Sequence, residues 1–209
     1  MKLYKTKKNC GKLLLGILAF CTGMILLTGC GSSSEQKQNK NEETAEENKE
    51  EDKVQIGLTV DSFVIERWIR DRDVFVATAR ELGAEVNVQD AGADVKEQIS
   101  QIEYFISKQV DVLVVIARDC GALSDAIQKA QSAGIPVISY DRMVNNANTD
   151  LYISFDNRKV GEIMAQALVN ALPQGGEVFM IQGSSSDNNV RMVKQGFDDM
   201  LADTDLHVV

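Results

Sequence analysis

The chain reads as an α/β protein built on a doubly wound parallel sheet. Three observations predict this. Between Val54 and Tyr140, four short apolar runs alternate with three segments whose apolar residues recur at helical spacing. Gly83, Gly134 and Pro136 punctuate the joints. Asp111 to Ala117 contains Val-Leu-Val-Val-Ile, a continuous apolar run that suits a strand buried on both faces. Repeated βα units of this kind give parallel strands with helices on both sides.

Each element follows from its residues. Val54 to Val60 is rich in β-branched and apolar side chains and predicts the first strand. Ile65, Trp68, Ile69, Phe75, Val76, Ala79 and Leu82 follow helical spacing, with Gly83 as the C-terminal cap. Ala84 to Gln89 predicts a strand, and Val95, Ile99, Ile102 and Ile106 mark a second helix. The apolar run at 111–117 is the third strand. Leu123, Ile127 and Ala130 carry a helix that stops at Gly134, and Pro136 to Tyr140 is the fourth strand.

After Leu151 the pattern restarts. Ile153-Ser154-Phe155 is a short extended piece, and Val160, Ile163, Met164, Ala167, Leu168 and Ala171 predict a helix that Pro173 and Gly175-Gly176 break. Glu177 to Gln182 reads as a strand, Gly183 to Asn189 as a polar loop, Val190 to Leu201 as a helix, and 206–209 as the opening of a strand. One complete strand makes no sheet, so the second layer reads as a chain cut short.

Composition narrows the function classes. Lys2, Lys5, Lys7, Lys8 and Lys12 precede the uncharged run Leu13 to Leu27, and a small-residue site then ends in Cys30. This is the layout of a signal peptide over residues 1–29. The apolar run falls short of the roughly 20 residues that span a bilayer. Leu27-Thr28-Gly29-Cys30 resembles the lipobox of bacterial lipoproteins. The resemblance implies cleavage before Cys30, a diacylglycerol on its thiol and anchoring to the outer face of the cell membrane. Two acyl chains hold stably where one is marginal, at about 0.8 kcal/mol per buried CH₂.

Residues 30–53 are almost wholly Gly, Ser, Glu, Lys, Asn and Gln and predict a disordered linker. In the remaining body, 54–209, 13 Lys and Arg face 23 Asp and Glu. With no basic stripe for phosphates, nucleic acid is excluded as a partner. Cys120 is the one cysteine of the body, so there is no disulfide framework and no Cys-x-x-Cys motif. It reads as a small, partly buried packing residue. No cofactor is implied.

Ligands of open α/β sheets sit beyond the carboxyl ends of the strands. The positions there collect Asp61, Arg67, Trp68, Asp141, Arg142, Asp187, Asn188 and Asn189. Carboxylates only accept hydrogen bonds, guanidinium only donates in a planar fork, and Asn does both, which matches the hydroxyls of a neutral sugar. An aromatic ring can cover the apolar face of such a ligand. Each polar residue alone suits a solvated loop or a helix cap, and Trp68 alone suits a core. The joint placement carries the reading.

At this point a resemblance enters. Leu58 to Asp73 closely resembles the first strand and helix of the D-xylose-binding proteins of ABC transporters, within the type I periplasmic sugar-binding family. So do Ser139 to Met143, Tyr152 to Asn157 followed by Lys159 to Glu162, Pro173 to Gly175, and Asp187 to Asn189. The similarity runs from about Val54 to Val209. It implies a two-lobed protein that closes on a monosaccharide, most simply D-xylose, by hinge motion and delivers it to an ABC permease. It further implies that Arg67 donates to sugar hydroxyls, that Trp68 stacks on the ring, and that Asp141 and Arg142 form an accept-and-donate pair. Asp187 and Asn189 would reach in from the second lobe. The N-terminal lobe would span 54–153, the hinge 154–157 with Phe155, Asp156 and Asn157, and the start of an incomplete second lobe 158–209. Members of the family run to roughly twice the length of the 54–209 body, a two-domain size.

Other classes weigh less. The only histidine, His207, has no Ser-His-Asp, zinc or Walker spacing around it, so an enzyme is not predicted. Asp71 and Asp73 stand at i and i+2 of a helix, do not share a face, and read as solvated acids rather than a cation site. A sugar-responsive repressor shares the fold, but export and the lack of a helix-turn-helix count against it. A sugar sensor presenting its lobes to a histidine-kinase ectodomain would use the same site, and an inactive relic is the third alternative.

Overall fold

A computed structural model describes residues 53–209. The signal segment, Cys30 and the linker up to residue 52 lie outside the described residues. The elements are β1 (Gln55–Val60), α1 (Glu66–Glu81), β2 (Glu85–Asp90), α2 (Val95–Ser107), β3 (Val112–Ile116), α3 (Ser124–Ser132), β4 (Val137–Tyr140) and β5 (Leu151–Ile153). They continue with α4 (Asn157–Ala171), β6 (Gly176–Val178), α5 (Asn188–Leu201) and β7 (Leu206–Val208).

The first five strands form one parallel sheet in the order β2-β1-β3-β4-β5. Strand β3 is buried on both faces, as its unbroken apolar run requires. Leu113 and Val115 pack with Ile102, Phe105, Leu123 and Ile127 against α2 and α3. Val114 and Ile116 pack with Leu58, Val60 and Trp68 under α1. Gly57 gives the Phe105 ring its place, because a Cβ there would stand 2.7 Å from the ring.

The extended piece expected at Ile153 to Phe155 lies at Leu151–Ile153 and adds the fifth strand, parallel to β4. Both later helices begin before their apolar pattern does, because an aspartate caps each. Asp156 accepts from the Lys159 backbone N–H at 3.0 Å and Asp187 from that of Asn189 at 2.9 Å. The loop expected up to Asn189 is therefore two residues shorter, and Asn188 and Asn189 lie in the first turn of α5.

The second layer corrects one expectation. A single strand was too little for a sheet, yet β6 and β7 pair in parallel, with Val178 opposite Val208. The strand expected over Glu177 to Gln182 shrinks to Gly176–Val178, since Phe179 to Gln182 have no ladder partner among the described residues. Helices α4 and α5 cover this ladder, and Ala165, Phe197, Leu201 and Leu206 form its core. The two helices cross closely where glycines meet. A Cβ on Gly161 would stand 1.9 Å from the Val193 carbonyl oxygen, and one on Gly196 2.0 Å from that of Arg158.

A candidate ligand-binding cleft

Strand β1 lies between β2 and β3, so the direction of winding reverses there and opens a crevice beyond the carboxyl ends of β1 and β3. Asp61 follows β1 directly, Arg118 follows β3 by two residues, and Asp141-Arg142 follow β4. A buried amide network holds these ends in place. Thr59 Oγ1 donates to Gln101 Oε1 at 2.7 Å, and Gln98 Nε2 donates to the Ile116 carbonyl at 2.9 Å. Gln98 Oε1 accepts the Arg118 backbone N–H at 2.8 Å.

The charged groups alternate in sign. Asp61 is only 2 % exposed, and Arg142 Nη1 donates to its Oδ2 at 2.6 Å and to the Ala117 carbonyl at 3.2 Å. The same guanidinium pairs through Nε with Asp187 Oδ2 at 2.9 Å. Arg67 pairs with Asp141 and lies 3.6 Å from Asp71 Oδ2. The Tyr140 hydroxyl donates to Asp71 at 3.2 Å, and burial together with that carboxylate pushes its pKa up.

Asp141 is the pivot. Its φ is +61°, a left-handed conformation that Asp tolerates better than most residues. The turn aims its backbone inward. Its N–H donates to the Ile153 carbonyl at 2.7 Å. Its carbonyl accepts from Ser154 Oγ at 2.7 Å, from the Tyr152 hydroxyl at 3.2 Å and from Asn189 Nδ2 at 3.2 Å. Asn189 Nδ2 also donates to Asp141 Oδ1 at 2.9 Å. Away from the charges, the Cys120 N–H donates to the Ser186 carbonyl at 2.9 Å. The pairs Arg142–Asp187, Asp141–Asn189, Tyr152–Asn189 and Cys120–Ser186 thus join the five-stranded unit to the β6–α5 loop and the first turn of α5.

A family profile described as periplasmic binding protein domain matches residues 56–209. The chain belongs to the periplasmic binding protein family. The D-xylose-binding periplasmic protein of Escherichia coli is 48 % identical over 143 residues, covering 68 % of this chain and 43 % of that protein. Its counterpart in Haemophilus influenzae is 47 % identical, with the same coverage. Among solved structures, an ABC-transporter solute-binding protein of Clostridium phytofermentans with bound β-D-glucose superposes with a TM-score of 0.69 at 28 % identity. That match covers 74 % of this chain and 51 % of the other. The chain therefore spans less than half the length of the two xylose-binding relatives. The fold is that of type I periplasmic binding proteins.

In this periplasmic binding protein, Arg67, Asp141, Arg142, Asp187 and Asn189 meet in one network. Trp68 is 3 % exposed and lies in the core under α1. One ring face carries the Arg67 guanidinium at 4.1 Å, and its Nε1 has no hydrogen-bond partner among the described residues. Phe155 is 67 % exposed, with its ring 5.8 Å from the same guanidinium. Asp156 caps α4, and Asn157 donates to Ser154 Oγ at 3.2 Å, the hydroxyl that holds Asp141.

The sequence marks Arg118 to Gly121 as a post-strand segment, but its candidate set contains none of Arg118, Asp71 and Tyr152. Arg118 had a usable signal, its place just after a predicted strand. Asp71, expected as a solvated acid, is a partner of Arg67 and Tyr140, and the i, i+4 spacing to Arg67 was the sign. Asp61 was noted at a strand end, but nothing in the sequence gave its burial.

Proposed function

We propose that this chain is the N-terminal part of an extracytoplasmic solute-binding lipoprotein, anchored through Cys30, that captures a neutral monosaccharide for an ABC permease. D-xylose is the sugar we propose. The observation that carries the reading is the alternating network at the strand ends, Asp61–Arg142–Asp187 and Asp71–Arg67–Asp141. Such a set supplies fixed acceptors and fixed donors, which hydroxyls satisfy from both sides. Four carboxylates (Asp61, Asp71, Asp141, Asp187) surround three guanidiniums (Arg67, Arg118, Arg142). There is no surplus positive charge to hold a sugar acid or a phosphate. The high identity to D-xylose-binding proteins supports the choice of sugar.

In this reading Arg67, Asp141 and Arg142 contact the sugar from the first lobe, and Asp187 and Asn189 from the second. Trp68 gives its ring face to the sugar once the Arg67 guanidinium moves aside. Residues 155–157 flex as the lobes part, and residues 54–153 and 158–209 belong to different lobes.

Calorimetric titration of the full-length protein with D-xylose, D-ribose, D-glucose and D-galacturonate tests this. Tightest binding to D-xylose and none to the uronate is expected. Binding to no neutral sugar would refute the reading. Affinity capture of the solubilised lipoprotein separates uptake from sensing, and recovery of a histidine kinase without a permease would overturn the transport role.

A further inference from the structure

Asp61 is ionisable, 2 % exposed, and only half satisfied. Its Oδ2 takes a hydrogen bond from Arg142 at 2.6 Å, while its Oδ1 is sealed from solvent with no hydrogen-bond partner among the described residues. Buried carboxylate oxygens do not stay unpaired without cost. Arg118 Nε lies 3.7 Å from Oδ1, beyond hydrogen-bond length. The Arg118 side chain is 38 % exposed. Its backbone is pinned to Gln98, and two residues later the Cys120 N–H reaches the Ser186 carbonyl. Arg118 therefore stands in the seam between the two halves of the cleft.

We infer that Arg118 is a further ligand-contacting and specificity-determining residue of this cleft. This rests on the sugar-binding reading above. Guanidinium is a planar fork with five donors, and only Nε is needed to complete Asp61. A shift of less than an ångström brings Nε into hydrogen-bond range of Oδ1. The terminal nitrogens then donate to a hydroxyl or ring oxygen of the sugar. Asp61 anchors the fork from behind, and Arg142, gripping the other oxygen of the same carboxylate, couples the two donors.

The test is a cycle between residue and ligand. Wild type, Arg118→Ala, Arg118→Gln and Arg118→Lys of the full-length protein are titrated with D-xylose and with its 2-, 3- and 4-deoxy analogues. Arg118→Ala is expected to weaken D-xylose about tenfold or more. In the same variant, the penalty for one deoxy analogue should vanish while the others persist, and Arg118→Lys should restore part of it. Arg118→Gln keeps a neutral donor on a shorter side chain and should recover less than Arg118→Lys, and the melting temperature of each variant checks that the effect is not lost folding. The inference is overturned if Arg118→Ala binds D-xylose within about twofold of wild type, or weakens all four sugars by one common factor. A wild type that binds none of the sugars would remove the sugar-binding reading first, and this inference with it.

Discussion

Arg142→Ala is the perturbation whose consequence the structure defines most sharply. The Arg142 side chain is 13 % exposed and holds two carboxylates, Asp61 at 2.6 Å and Asp187 at 2.9 Å. Its removal leaves Asp61 sealed and faced, among the described residues, only by Arg118 at 3.7 Å. Breaking a buried pair from one side costs about 3–5 kcal/mol, because a charge is left without compensation. The Asp187 side adds less, since that carboxylate also caps α5 and keeps the Asn189 N–H. Urea unfolding is the assay. At an m-value of about 2 kcal/mol/M the midpoint should fall by about 2 M with m unchanged. Adding Asp61→Asn should recover much of the loss, as the stranded charge goes and a neutral amide remains. The double variant would then be more stable than Arg142→Ala alone. A loss below about 1 kcal/mol, the range of an exposed pair, or simple additivity of the two substitutions, would refute the reasoning.

Other outcomes follow from single contacts. Gly161→Ala puts a Cβ 1.9 Å from the Val193 carbonyl oxygen. It should cost about 1–3 kcal/mol or more and shift Asn189 with α5, so unchanged melting and sugar affinity would contradict the close crossing of α4 and α5. Asp141→Asn keeps a residue that tolerates positive φ but removes the Arg67 ion pair, whereas Asp141→Ala also strains the turn. The Ala variant should therefore melt lower, and equal melting temperatures would show that the backbone there is relaxed. Asp150 accepts the Val137 N–H at 2.8 Å, which holds its pKa below the ordinary carboxylate value. Its contribution is present above the unfolded carboxyl pKa and is lost as pH falls through the lower folded value. The melting-temperature gap between wild type and Asp150→Asn should thus narrow as pH drops from neutral to below about 4, and a constant gap would exclude the carboxylate as the cause.

The strand ends were legible because burial on two faces writes itself into β3 as an unbroken apolar run, and because charged residues gather where such strands stop. That logic brought Asp141, Arg142 and Asp187 together from positions far apart in the chain. It gave no distances. Asp61 looks like any loop acid in sequence, and only packing shows it enclosed between two arginines. Trp68 fits helical spacing as core and the strand-end cluster as platform; alone it suits a core, and only its joint placement favours the platform. The sequence predicts loop at Asn188 and Asn189 because the apolar pattern of α5 starts at Val190. A capping aspartate draws the helix start back over polar residues that packing does not need.

The network also says how discrimination would arise under the proposed function. The two halves of the cleft are paired with each other: Arg142 with Asp187, Asn189 with Asp141, and the Cys120 N–H with the Ser186 carbonyl. Under the proposed function, a sugar entering between them competes with these pairs. It exchanges for bonds already made, so its net gain depends on replacing every displaced donor and acceptor. A hydroxyl can do this because it gives and takes at once. A deoxy analogue cannot, and leaves a carboxylate or guanidinium stranded on one side. Loss of a methylene in an apolar pocket is worth only about 10–200-fold, whereas a polar site left unpaired rejects far more strongly. The same pairs join the two halves, so a ligand that takes up Asp141 and Arg142 but offers nothing to Asp187 and Asn189 breaks the closing contacts without replacing them. Selectivity and closure would then rest on the same few bonds, with Arg142, shared by Asp61 and Asp187, linking them.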